Sequence, residues 1–224
     1  MKKPSMVSFL ITLLLAAAFC THGKEPVKDT AGNQVKAGEQ YFIQPVKPDG
    51  NNGGGLVPAA ISVFRFCPLG ITQSLLSNQP GLPVSFGFLS SVTDTIVNTS
   101  TDVTIEFKSE IWPFCKDFSK LWAVDDESSS AGEKPPIVIG GKPEQPNSQF
   151  KIEKAGERAD TYKLTSLTGT VGVSPGIWGT QLVLTNDDAK TILVKIKKVN
   201  NDASTATTST SRVEKFGLRM FPFY

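Results

Sequence analysis

Short apolar runs recur along this chain every ~8–12 residues, each closed by glycine, proline, aspartate or asparagine. That cadence predicts the strands of a sandwich or barrel. Residues 40–45 (QYFIQP), 60–66 (AISVFRF), 82–88, 103–107 and 121–124 read as strands, and 137–139, 150–152, 162–164, 182–184 and 192–196 continue the series. No window keeps a helical period, so the fold class is all-β. The NNGGG stretch at 51–55 lacks the Gly-Lys-Ser/Thr continuation of a phosphate-binding loop and opens no helix, so it reads as a flexible hairpin loop. Asp187 and Asp188 mark a turn between two strands.

The two ends break the pattern. Lys2 and Lys3 precede an unbroken apolar run at 9–19 (FLITLLLAAAF), too short for the ~20 residues that span a bilayer and followed by the small residues Thr21 and Gly23. Residues 1–23 therefore read as a secretory signal, leaving one domain at 24–199 in a secreted protein, extracellular or vacuolar, with no membrane attachment after processing. From 200 to 211 the chain (NNDASTATTSTS) has no apolar residue larger than alanine and reads as a linker. Residues 212–224 (RVEKFGLRMFPFY) then turn basic and aromatic, and are expected to dock on the domain or be removed.

Composition narrows the chemistry. A net charge of +2 with scattered lysines carries no nucleic-acid footprint. The one histidine is His22, beside the expected cleavage point. Without it the domain has no Ser-His-Asp or Cys-His machinery and no usual zinc set, so no cofactor and no metal is expected. Of three cysteines Cys20 leaves with the signal, and Cys67 and Cys115 remain. An even pair in a secreted chain reads as a disulfide, with two buried free thiols the alternative.

An ordered series of motifs resembles the soybean Kunitz-type trypsin inhibitor family. It begins with Val27, Asp29, Gly32, Asn33 and Val35, then Tyr41 and Ile43, with Asp29 and Gly32 suited to a turn and Val35, Tyr41 and Ile43 to inward strand positions. Cys67-Pro68-Leu69, Gln73-Ser74 and Gly81-Leu82-Pro83-Val84 follow, then Cys115, Trp122, the 137–140 stretch, Phe150, Tyr162, Gly169 and the last two strands. The match runs over about 27–198. It implies a β-trefoil, three four-stranded units making a six-stranded barrel with a hairpin cap. It also implies a monomer that binds a secreted or vacuolar protease through one exposed, rigid, substrate-like loop.

Three departures bear on function. Where the family places a second cysteine pair this chain has Leu167 and Thr168, adjacent, so that region is expected to be held by packing alone. The resemblance places the specificity residue near Ser91 and the inhibitory loop at Leu89, Ser90, Ser91, Val92, Thr93 and Asp94, with Leu89 or Val92 as other occupants of the protease pocket. No lysine or arginine occurs from 85 to 101, whereas trypsin's pocket ends in a carboxylate, so trypsin is not the expected target. Ala37 stands where the family carries an asparagine that braces the loop. Asn98-Thr99-Ser100 is a sequon just beyond, with Asn98 the expected glycan site.

Two functions fit: a secreted protease inhibitor that is not trypsin-specific, or a non-inhibitory trefoil for storage, carbohydrate binding or partner recognition. A glycosidase needs two carboxylates ~5–10 Å apart in a cleft, and the spacing of Glu106, Glu110, Asp117, Glu144 and Glu153 pairs none of them. The protein is not expected to be an enzyme.

Overall fold

The computed structural model describes residues 24–46, 54–64, 66–77, 79–89, 95–110, 114–126, 134–156 and 160–200. The expected signal (1–23), the loop residues Ser90, Ser91, Val92, Thr93 and Asp94, and the tail from 201 lie outside them. Among the described residues twelve strands follow in order: β1 Gln40–Val46, β2 Leu56–Ala59, β3 Gly70–Gln73, β4 Val84–Gly87, β5 Asp102–Phe107, β6 Trp122–Val124, β7 Ile137–Ile139, β8 Phe150–Lys154, β9 Tyr162–Ser166, β10 Gly169–Gly176, β11 Gly179–Thr185 and β12 Leu193–Lys198.

Six strands close a barrel. The ring runs β12–β1–β4–β5–β8–β9, and Val194 of β12 opposite Tyr162 of β9 joins its ends. The other six form three hairpins, β2–β3, β6–β7 and β10–β11. These meet at β3, where Gly70 pairs with Val138 of β7 and Gln73 with Thr180 of β11. Three four-strand units, a closed barrel and a hairpin cap make a β-trefoil.

Period-two alternation builds the core. Along β1, Tyr41, Ile43 and Pro45 are buried while Phe42, Gln44 and Val46 are half-covered. Trp122 fills the middle of the cluster, 5.4 Å from Phe107 and 6.4 Å from Phe150 between ring centres, the second pair meeting edge to face. Each large side chain buried this way contributes about 1.5–3 kcal/mol. Val27 and Val35 of the N-terminal segment join the same cluster. Asp29 is buried in the turn between them, its Oδ1 accepting the N–H groups of Ala31 and Asn33 at 2.9 Å.

Nine of the expected strands overlap observed ones; one does not. Residues 60–66 are the connection between β2 and β3, and the strand is β2, just upstream. Both edges of β3 are already taken, one by β2 and the other by β7 and β11, so the apolar run after Ala59 has no edge to pair with. β2 carries Pro58, which is tolerated because β2 is an edge strand, where a residue without N–H can stand. The second half of NNGGG is also no slack loop. Gly54 and Gly55 are buried, and a Cβ on either would collide with the backbone of Ser74 or Pro80.

Around Leu167 and Thr168 the structure replaces the expected packing-only support with backbone pairing. The two residues form the turn between β9 and β10, closed by Ser166 opposite Gly169, and β10 then pairs with β11 from Thr170 opposite Thr185 to Gly176 opposite Gly179.

Candidate functional site: the two ends of the barrel

Strand direction sorts the loops. β1, β5 and β9 run toward the hairpin cap and β4, β8 and β12 run away from it, so the β4–β5 and β8–β9 connections gather at the end opposite the cap. The N-terminal segment and the end of β12 lie there too.

At that open end the returning limb of the β4–β5 connection is sewn to the N-terminal segment. Val27 N–H donates to Val97 O at 2.9 Å, Val97 N–H to Val35 O at 2.9 Å, Ala37 N–H to Thr95 O at 2.7 Å and Thr99 N–H to Glu25 O at 2.8 Å. Two buried tyrosines anchor the segment to the barrel. Tyr162 Oη accepts the N–H of Lys28 at 2.8 Å, and Tyr41 Oη accepts the N–H of Lys36 at 2.9 Å while donating to Glu39 Oε2 at 2.9 Å. Glu39 also meets Lys198 Nζ at 2.7 Å. Hydrogen bonds from Lys198 and Tyr41 hold the Glu39 carboxyl below its ordinary range, and burial pushes the Tyr41 phenol up to about 12. Burial raises Tyr162 as well.

Of the six expected loop residues only Leu89 is described, and it is exposed. Ala37 supplies no side-chain brace; its backbone N–H ties the limb at Thr95 instead. Asn98 is half-buried in a bridge opposite Pro26, its Nδ2 donating to Ile96 O at 3.4 Å. Ser100, the sequon hydroxyl, is exposed in the left-handed region (φ 58°) and donates to Glu153 Oε2 at 3.1 Å.

The cap end was not singled out as a site by its sequence, and it carries the larger surprise. Val63, Phe64 and Phe66, on the connection read as a strand, are exposed, Phe64 at 94%. The disulfide between Cys67 and Cys115, with Cα atoms 5.7 Å apart, sets Phe66 against the 114–118 loop, where Phe114 and Phe118 are also exposed. At the other end of the β2–β3 hairpin Leu75, Leu76, Ile177 and Trp178 form a second exposed apolar group, brought together by the pairing of β3 with β11.

Between the two groups runs the outer edge of β2. Leu56 O already accepts the N–H of Leu82 on that side, at 2.9 Å, and the next residue facing the same way is Pro58. Having no N–H, Pro58 sits at a non-bonded pair with Ile71 and turns its carbonyl off the free edge. Beside Cys67, a groove of about 580 Å³ is lined by Pro68, Phe118, Asp125, Asp126, Val138 and Asn147 among others. The glutamates weighed for glycosidase chemistry do not line it. Among the described residues no cluster of histidine, cysteine and carboxylate side chains suits a metal ion, and no helix is long and apolar enough to cross a membrane.

Comparison with known proteins agrees with this architecture. A family model described as the Kunitz-legume trypsin and protease inhibitors matches residues 27–203. "Kunitz trypsin inhibitor 2" of Arabidopsis thaliana is 64% identical, over 93% of this chain and 98% of that protein. A water-soluble chlorophyll protein of Brassica oleracea var. Botrytis, solved with chlorophyll b, is 59% identical with a TM-score of 0.74, over 79% of this chain and 100% of that one. Soybean trypsin inhibitor shares the fold at 22% identity, with a TM-score of 0.64 over 79% of this chain and 100% of that one.

Proposed function

This chain belongs to the Kunitz-legume family of trypsin and protease inhibitors, and we propose that it is a water-soluble carrier of a chlorophyll-type tetrapyrrole. The observation that carries the reading is the exposed apolar surface on both sides of the β2 edge. Clustered exposed apolar side chains of this kind mark surfaces that meet a ligand or a partner. The likeness to a chlorophyll-bound relative over the whole of its length supports the choice of ligand.

The residues fit such a ligand. A chlorophyll has a broad flat ring, a long hydrocarbon tail and a magnesium ion that takes oxygen donors. Phe64, Phe66, Leu75, Leu76 and Trp178 offer apolar and aromatic faces, and the Pro58 carbonyl is an oxygen donor needing no proton to leave. With no histidine among the described residues, an oxygen such as this backbone carbonyl would be the donor. Bound there, the protein's task is to shield the ring from water and hold its orientation; no catalytic role is proposed. The run at 9–19 delivers the chain to the secretory pathway, with an extracellular or vacuolar end point.

Reconstitution tests it. Full-length protein mixed with chlorophyll in dilute detergent, then freed of detergent, should retain pigment in the aqueous phase with induced visible circular dichroism. Phe64→Ser with Trp178→Ser should lose most of that signal. Failure of the wild type to retain pigment would overturn the reading.

A second reading, protease inhibition through the β4–β5 connection, is favoured by the relative named as a trypsin inhibitor and by the sewn limb at 95–99. Its contact residues are Leu89, Ser90, Ser91, Val92, Thr93 and Asp94, and its partner is a secreted or vacuolar protease other than trypsin. Ser91→Arg should create trypsin inhibition and Ala37→Asn should strengthen it; nanomolar trypsin inhibition by the wild type would refute the loop placement. The two assays read different activities and are scored independently.

A further inference from the structure

We propose that a second recess, at the base of the β10–β11 hairpin, binds a neutral hexose. It occupies about 510 Å³, within the range of roughly 300–1,000 Å³ usual for small-molecule sites. Three stretches build it: the lead-in to β7, the β9–β10 turn and the turn that follows β11. Leu184 N–H donates to Pro135 O at 2.8 Å and Pro136 bridges Val183, which fixes the lead-in against the end of β11. The hairpin extends from Thr170 opposite Thr185 to Gly176 opposite Gly179, a length of ~20 Å. The recess therefore stands clear of Ile177 and Trp178 at the hairpin tip, and its occupancy is independent of the chlorophyll reading.

Thr185, the last residue of β11, is 4% exposed. Its methyl group is seated against Gly172, where a Cβ would come within 2.4 Å of it. Its hydroxyl oxygen accepts from Lys134 Nζ at 2.8 Å and from Asp187 N–H at 3.1 Å. Both lone pairs are then in use, and the hydroxyl proton is left to donate. No described residue accepts it. A buried hydroxyl that donates to nothing carries a desolvation cost, which an oxygen entering the recess would remove.

The groups around it are of both kinds. Lys134 spends one N–H on Thr185 and keeps the others, and the Thr168 hydroxyl and the Asn186 amide stand at the exposed rim. Asp187 Oδ1 accepts the N–H of Ala189 at 3.1 Å and Oδ2 lies 3.7 Å from Lys190, which leaves a carboxylate with further lone pairs to offer. A lining that both donates and accepts suits sugar hydroxyls, which do the same. Leu184 and Pro135 add apolar surface for the C–H face of a pyranose ring. The one cation in the lining, Lys134, is set against the carboxylates of Asp126 and Asp187, so a phosphate or a carboxylate ligand gains nothing by its charge.

Amide chemical shifts of isotopically labelled full-length protein test the proposal, with the methyl glycosides of glucose, mannose and galactose each added to tens of millimolar. At least one should move the amides of Thr168, Thr185 and Asn186 saturably. Thr185→Val keeps the methyl group against Gly172 and removes the hydroxyl, and should weaken binding about tenfold. Lys134→Met keeps the aliphatic stem, removes the ammonium and should weaken it to a similar degree. The two variants are read separately, so either one that folds decides. The proposal is overturned by the absence of saturable shifts with all three glycosides, or by undiminished binding in a folded variant. Shifts of the same amides with inorganic phosphate, and none with the glycosides, would overturn it too.

Discussion

The hydroxyl of Tyr162, in the ninth strand, accepts the backbone N–H of Lys28 at 2.8 Å, across 134 residues of sequence. That bond fastens the N-terminal segment of the domain to its last unit. Tyr162→Phe keeps the buried ring and removes only the acceptor. It should cost about 1 kcal/mol of stability and speed exchange of the Lys28 amide. Equilibrium unfolding in denaturant and amide hydrogen exchange measure the two effects.

Alkaline pH should loosen the same seam through Tyr41. Its phenol is pushed up to about 12 in the folded protein, against an ordinary value near 10. The folded state therefore holds the proton where the unfolded chain has released it. Stability is intact below pH ~10 and falls as pH climbs toward 12. Tyr162, raised for the same reason, adds to the slope. Denaturation midpoints between pH 9 and 12 should decline, and Tyr41→Phe should flatten the decline while lowering stability at neutral pH by removing two hydrogen bonds.

Removing the disulfide should matter more for the cap than for the barrel. Bridging residues 48 apart restricts the unfolded chain by ~4 kcal/mol in the loop-entropy model. Cys67→Ser with Cys115→Ser should lower the thermal midpoint while the core signals of Trp122 persist. Limited proteolysis should then cut first within 60–69 or 114–119. An intact mass of wild-type protein showing two alkylated thiols without reduction would contradict the bridge.

Asn98 should carry an N-glycan when the protein is made in a eukaryotic secretory pathway. Its position at the open end, opposite the cap, leaves the apolar surface clear. Mass spectrometry before and after N-glycan removal checks this, and an unchanged mass would count against it.

The barrel strands were the legible part of this fold because their residues alternate between core and outside, a period that survives without any knowledge of partners. β3, with only four residues and a leading glycine, carries too little of that period to show. Residues 60–66 deceived for the complementary reason: the run has strand-like composition, and only the filled edges of β3 deny it a partner. The disulfide was legible from cysteine count and compartment. The cap surface was not, because Phe64 reads as a core residue in any pattern of hydrophobicity, and exposure belongs to the tertiary arrangement alone. Ala37 was read as a missing brace, and the structure shows the backbone around it carrying the connection to the 95–99 limb.

The pairing of β1 with β12 has a bearing on how the protein is made. The first strand to leave the ribosome has its longest ladder, from Tyr41 opposite Lys198 to Val46 opposite Leu193, with the last. During synthesis β1 therefore waits with an open edge until nearly the whole domain has followed it. Cys67 and Cys115 are both present well before then, so oxidation can tether the nascent cap while the barrel is still incomplete. A nascent chain stalled before residue 193 would display both an unpaired edge and the phenylalanines of the cap, two features that chaperones recognise.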